Sequence, residues 1–190
     1  MTIELKRSGA DAYHYSSTSV PHGMFRMALP DAISQESTFR IIDGQVVPSE
    51  FRGSDEKERP IELKFDWEHK RVTGVAKNLP VDLELTEGTQ DPMSLQLESL
   101  RGLASGTLQG SVRLVDSDKI KDYELSREGT ARIETGLGTL DTIIWTSKRA
   151  GGDRMTRTWV APALGYLPVK AERVRGTKVE FTMAIESVDR

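Results

Sequence analysis

The side chains able to do chemistry are few and scattered. Cysteine is absent, which removes disulfides, thiolate metal sites and a thiol nucleophile. The three histidines are His14, His22 and His69. His14 and His22 flank a proline, and His69 falls in a turn between strand-like runs, so no metal-ligating spacing emerges. Asp91 and Ser94 stand three residues apart in DPMS, where helix capping accounts for both. No G-x-S-x-G occurs and no Ser–His pairing is suggested, which sets aside a serine hydrolase. The carboxylate pairs Asp82/Glu84 and Glu62/Asp66 alternate along strand-like runs and read as a solvated face. GLGT at 136–139 has no P-loop lysine and precedes no helix, so it reads as a strand turn or bulge.

Two stretches are better suited to binding than to catalysis. In TRTWVAPALGYLPVKAERVR, Arg157 and Trp159 alternate onto one strand face and Tyr166 lies in a loop bracketed by Pro162 and Pro168. Such a rim of aromatic and cationic groups could meet an anionic amphiphile, or be core and solvated charge. In HGMFRMALP, Met24, Phe25 and Met27 are adaptable apolar side chains suited to a barrel mouth or to core filling.

The elements that must position these groups are mostly strands. TKVEFTMAIES alternates, with Val179, Phe181, Met183 and Ile185 on one face. PIELKFDW puts Ile61, Leu63, Phe65 and Trp67 inward, and PVDLEL does the same with Val81, Leu83 and Leu85. ARIET, with Ile133 central, is a further strand. Strands are also expected at 2–7, 11–19, 34–42, 45–52, 111–116, 119–127, 139–148, 154–161 and 167–175. Asp43-Gly44 is a two-residue hairpin signal, and Arg127-Glu128-Gly129, Gly151-Gly152-Asp153 and Arg175-Gly176 are further turn candidates. One helix is expected at about 92–103. Asp91 caps it, Pro92 takes its first position, Gly102 stops it, and Met93, Leu97, Leu100 and Ala104 form an apolar stripe widened by Leu95 and Leu103.

The fold expected is all-β and mainly antiparallel. It is a curved sheet or open β-barrel of roughly a dozen meandering strands, with one amphipathic helix on the concave side or across the open end. The 190 residues read as a single domain. A 37% hydrophobic and 29% charged composition is neither disordered nor membrane-spanning, and a net charge of −3 argues against general nucleic-acid binding. The chain opens in a strand-like run, TIELKR, with no basic region followed by an apolar one, so no signal peptide is visible.

Five phrases in order, FDWEHKRVTG, GTQDPMSLQL, TGLGTLDT, DRMTRTWVAPALGYLPVKAE and VEFTMAIES, resemble the bacterial domain of unknown function 3108 family. The resemblance runs from about residue 11 to the end. It implies an exported envelope protein of Gram-negative bacteria, whose members carry a signal peptide and an extra strand before the matching part. By that comparison this chain is N-terminally shortened and periplasmic if a signal peptide has been removed or lost, and otherwise cytoplasmic. The family supplies no reaction. More loosely it is similar to the half-barrel proteins that carry or receive lipoproteins.

The function expected is a non-catalytic envelope protein, not an enzyme, with no cofactor and no metal. It would bind an apolar or amphipathic ligand, a lipid or lipoprotein-like component, in a curved β-sheet. The candidate ligand-binding residues are Met24, Phe25, Met27, Met93, Leu97, Arg157, Trp159 and Tyr166. The alternatives are a structural or assembly protein acting through strand edges, and a hydrolase of envelope polymers, for which no convergent titratable groups can be nominated.

Overall fold

The computed structural model describes residues 2–19, 33–54, 59–108 and 110–187. Among these the chain forms two antiparallel sheets and one α-helix, and the all-β expectation is met. The first sheet is a seven-stranded meander in chain order. Its strands are β1 (Thr2–Arg7), β2 (Ala12–Ser19), β3 (Ile33–Ile42), β4 (Gln45–Ser54), β5 (Pro60–Asp66), β6 (Arg71–Ala76) and β7 (Leu79–Glu84). Helix α1 (Pro92–Ser105) follows. The second sheet holds β8 (Ser111–Asp116), β9 (Lys119–Thr135), β10 (Gly138–Arg149), β11 (Arg154–Ala161), β12 (Leu167–Arg175) and β13 (Lys178–Ala184). Neither order returns to its first strand, so each sheet keeps two edges. No helix among the described residues is long and apolar enough to cross a membrane.

The chain divides into two compact units, Met1–Glu98 with Arg113–Ile120, and Ser99–Val112 with Lys121–Arg190. Residues 92–98 of α1 therefore belong to the first unit and 99–105 to the second.

In the first unit strict alternation builds the core. Along β5 every second residue is buried, and Leu63 and Phe65 join Phe39, Phe51, Val72 and Met93 in one cluster. Asp43 and Gly44 have φ of 51° and 76°, the left-handed pair of a primed hairpin turn. The same geometry at Lys77 and Asn78, φ 56° and 64°, joins β6 to β7. β6 was not among the strands expected, because its Gly74 interrupts the alternation and its turn lacks glycine. Gly74 is required: at φ 150°, a Cβ there would lie 1.9 Å from the Glu62 carbonyl oxygen.

Three local expectations fail in the second unit. Gly102 does not stop α1. It is buried inside the helix, where a Cβ would lie 2.8 Å from Leu108 Cα. The stop is Gly106, at φ 72°. Its N–H donates to the Leu103 carbonyl and that of Thr107 donates to the Gly102 carbonyl, the paired bonds of a Schellman motif. Arg127-Glu128-Gly129 is not a turn. β9 runs unbroken for 17 residues, and a register shift leaves Glu128 as the extra residue of a bulge against β10. Val179 and Phe181 do not share a face. A second bulge sets Val179 opposite Val174 and Phe181 opposite Arg173, adjacent residues that point to opposite sides.

Candidate functional site

β11 carries the group with most chemical potential. Alternation puts Arg157 and Trp159 on one face, as the sequence indicates. Cross-strand pairing then adds Ile144 and Lys170 beside Trp159, and Thr146 and Glu172 beside Arg157. Lys170 Nζ lies 4.4 Å from the centre of the Trp159 ring, a cation–π contact, and 2.7 Å from Glu172 Oε1. The bulge aims Glu128 at Arg157, giving a fork of two bonds, Nε to Oε2 at 2.5 Å and Nη2 to Oε1 at 2.9 Å. Arg157 Nη1 is also 3.9 Å from Glu172 Oε2. The guanidinium holds the Glu128 carboxyl below its ordinary range, and that carboxylate in turn raises Arg157. Two positive and two negative groups thus neutralise one another, each partly withdrawn from water, with Glu172 the most covered at 14% exposure.

Trp159 is also the centre of an apolar cluster. Ala161, Val169 and Ile185 are buried with it, and Ile133, Leu140, Ile144, Leu164 and Leu167 pack around them half-buried. A half-exposed apolar surface therefore abuts a satisfied ionic network. That arrangement can accept the apolar body of a ligand, with a polar group lying over the charges. Tyr166 is not part of this packing. It stands at φ 64° after the 3-10 turn Pro162–Leu164, its N–H on the Ala161 carbonyl, and its neighbours Leu164 and Leu167 join the cluster instead. Glu128, Lys170 and Glu172 were missed in the sequence, where Glu128 reads as turn and the other two as strand polar residues. A carboxylate before a glycine within a long alternating run was the available signal.

The helix candidates lie elsewhere. Met93 is fully buried in the core of the first unit and Leu97 packs against that core. Met24, Phe25, Met27 and His22 lie outside the described residues.

Asp91 is a strongly perturbed carboxyl group. Its Oδ1 accepts from the N–H groups of Met93 at 2.8 Å and Ser94 at 2.9 Å, and Ser94 Oγ accepts from the Asp91 N–H at 2.9 Å. This is a reciprocal capping box with serine in the usual glutamate position. The sequence did not reveal the third donor, Ser37 Oγ, on Oδ2 at 2.7 Å. The carboxylate is completely buried, and burial outweighs these bonds, pushing its pKa up to about 6. Neighbouring Gln90 bridges further: its N–H donates to the Arg113 carbonyl, its carbonyl accepts from Val115, and Nε2 donates to the Val46 carbonyl at 2.9 Å. The Ser37 and Val46 bonds anchor the helix start to β3 and β4.

On the outer face of β2, β3 and β4, His14, Glu36, Thr38, Glu50 and Arg52 line a hollow of about 90 Å³. His14 Nε2 is 3.5 Å from Glu36, and Arg52 reaches Glu36 at 3.4 Å and Glu50 at 3.6 Å. These are interleaved surface pairs on a wet face. Among the described residues no group of three histidine or carboxylate side chains could hold a metal ion.

Comparison with known proteins adds a family and a fold. A search of curated proteins returns no match to this chain. A solved structure of a β-barrel-like protein of domain of unknown function DUF1849 from Brucella abortus is similar over 97% of this chain and 87% of that one, with a TM-score of 0.56 and 12% identity. At that identity the likeness concerns the fold alone. The family model for DUF3108, a protein of unknown function, matches residues 1–183, and the chain belongs to that family.

Proposed function

We propose that this protein is a non-catalytic component of the cell envelope that holds an apolar or amphipathic ligand against the Trp159 face of the second sheet. The observation that carries the reading is the half-buried cluster of Ile133, Leu140, Ile144, Leu164 and Leu167 beside the Glu128–Arg157–Glu172–Lys170 network. Leaving several large aliphatic side chains half-exposed on one face forgoes burial of about 25 cal/mol per Å² of apolar surface, which an apolar ligand would supply. The envelope address rests on the exported character that the family resemblance implies. A non-catalytic role is supported by Asp91, whose raised pKa comes from its complete enclosure by the protein, with its hydrogen bonds going to Ser37, Met93 and Ser94. Native mass spectrometry and solvent extraction of the purified protein test the reading. A co-purifying lipid-like molecule, displaced by a fluorescent apolar probe, is expected. No ligand together with no uptake of the probe by wild type, or uptake that is unchanged in Ile144→Glu, would rule the reading out.

A second reading, assembly through strand edges, is favoured by one observation. Leu5, Leu79 and Val179 are 54%, 61% and 46% exposed, and each sits on an edge strand, β1, β7 or β13. Crosslinking in an envelope extract tests it, and recovery of uncrosslinked protein alone counts against it.

A further inference from the structure

We propose that one hairpin end of the second sheet is a docking surface for anionic lipid headgroups, built on a row of four cations that crosses β10, β11, β12 and β13. Register between strands places the row. Arg154 stands opposite Arg175, and Arg175 opposite Lys178. Arg149 and Arg154 flank the β10–β11 turn one step beyond the Lys148↔Met155 pair, which adds a fourth strand. On its far side the row ends at Tyr123 of β9, the cross-strand partner of Arg149. Alternation along β11 sets Arg154 on the opposite face from Arg157 and Trp159, so this surface is separate from the ligand face and independent of that reading.

Such a row costs the fold stability. Neighbouring strands lie about 4.8 Å apart, and like charges directly opposite one another repel. Two carboxylates lie among the four cations. Glu180 reaches Arg154 at 3.1 Å and Arg175 at 3.5 Å, and Asp153 reaches Arg175 at 3.3 Å. Arg149 and Lys178 are exposed, and among the described residues neither has an ion-pair partner. This end therefore keeps an excess of positive charge on a chain whose net charge is −3. Screening over about 8 Å at physiological ionic strength hides the negative charge carried elsewhere from a surface that meets this end first.

The groups beside the cations select among anions. Tyr123 has the apolar ring and polar tip that suit the headgroup level of a bilayer. Val179 follows Lys178 directly and is 46% exposed, and Phe181 is half-buried opposite Arg173 in the next row. Cations interleaved with partly exposed apolar side chains fit the boundary between headgroups and acyl chains. A nucleic-acid phosphate backbone would leave those apolar groups without a partner.

Cosedimentation of the full chain with vesicles tests this, comparing phosphatidylcholine alone with phosphatidylcholine containing phosphatidylglycerol. Wild type is expected to bind the anionic vesicles only and to be released by added salt. Arg149→Gln and Lys178→Gln should each weaken that binding about fivefold, and the double variant about 25-fold. Each substitution removes a repelling charge, so neither variant should melt below wild type, which separates weakened docking from unfolding. Uptake of the apolar probe at the Trp159 face should be unchanged in both. No binding to anionic vesicles, or binding that the double variant retains in full, overturns the inference. Binding to a duplex oligonucleotide in preference to vesicles overturns it too, and reassigns the row to a phosphate backbone. Probe uptake and vesicle binding are read separately, so failure of the ligand reading is distinguishable from failure of this one.

Discussion

Ser37 Oγ donates a 2.7 Å hydrogen bond to Asp91 Oδ2, tying the middle of β3 to the first turn of a helix 54 residues later in the chain. Both side chains are fully buried. Asp91 is thus a cap and a cross-brace at once, and the two roles separate on mutation.

Asp91→Ala should cost about 3 kcal/mol or more, because it leaves the N–H groups of Met93 and Ser94 and the Ser37 hydroxyl without their acceptor. Asp91→Asn keeps an oxygen for the two N–H groups and should cost far less. Urea unfolding of both variants at pH 7 measures the difference.

The same pair of proteins carries a pH signature. Burial raises the Asp91 pKa from 3.8 to about 6. A carboxyl whose folded value lies above its unfolded value contributes stability that is complete below about pH 4 and is lost as pH rises through 6. The contribution is of the order of 3 kcal/mol. The stability of wild type minus that of Asp91→Asn should therefore fall between pH 4 and 6 and level off above it. A flat difference across that window means the carboxyl is not perturbed.

Glycine substitutions should rank by what a Cβ meets. Gly74→Ala drives a methyl group into the Glu62 carbonyl and should cost about 3 kcal/mol or prevent folding. Gly102→Ala meets the Leu108 main chain at 2.8 Å and should cost more than Gly106→Ala. At Gly106 there is open space and only the positive φ to oppose, about 1 kcal/mol. Thermal melts of the three variants establish the order.

On the second sheet, Trp159→Ala removes a 7% exposed ring and should cost about 3 kcal/mol or more. Glu128→Gln breaks a fork whose partners are 37% and 27% exposed, and should cost under about 1 kcal/mol. Chemical denaturation distinguishes these. Equal costs would mean the ionic network, and not the ring, organises this face.

Much of this was legible in local pattern. Period-2 burial along β5, the Asp43-Gly44 turn and the Asp91-Pro92 helix start each depend on a few adjacent residues and on backbone sterics, so they could be read from them. β6 escaped because its hairpin turns on Lys77 and Asn78, residues that tolerate positive φ less readily than glycine and signal it less clearly. The bulges at Glu128 and between Arg173 and Val174 escaped because a register shift belongs to two strands and leaves no mark on either one alone.

The sequence by itself determined that the chain is antiparallel β with one capped helix, because alternation and capping are short-range properties. Tertiary structure decided that Asp91 is sealed beneath Ser37, since burial depends on what a distant strand covers. It decided that Gly102 is a close-packing site and Gly106 the helix stop, since only the return of Leu108 takes the space of a Cβ. It also decided that Arg157 answers to Glu128 and Trp159 to Lys170, since each pair is set by register between strands and not by spacing along one.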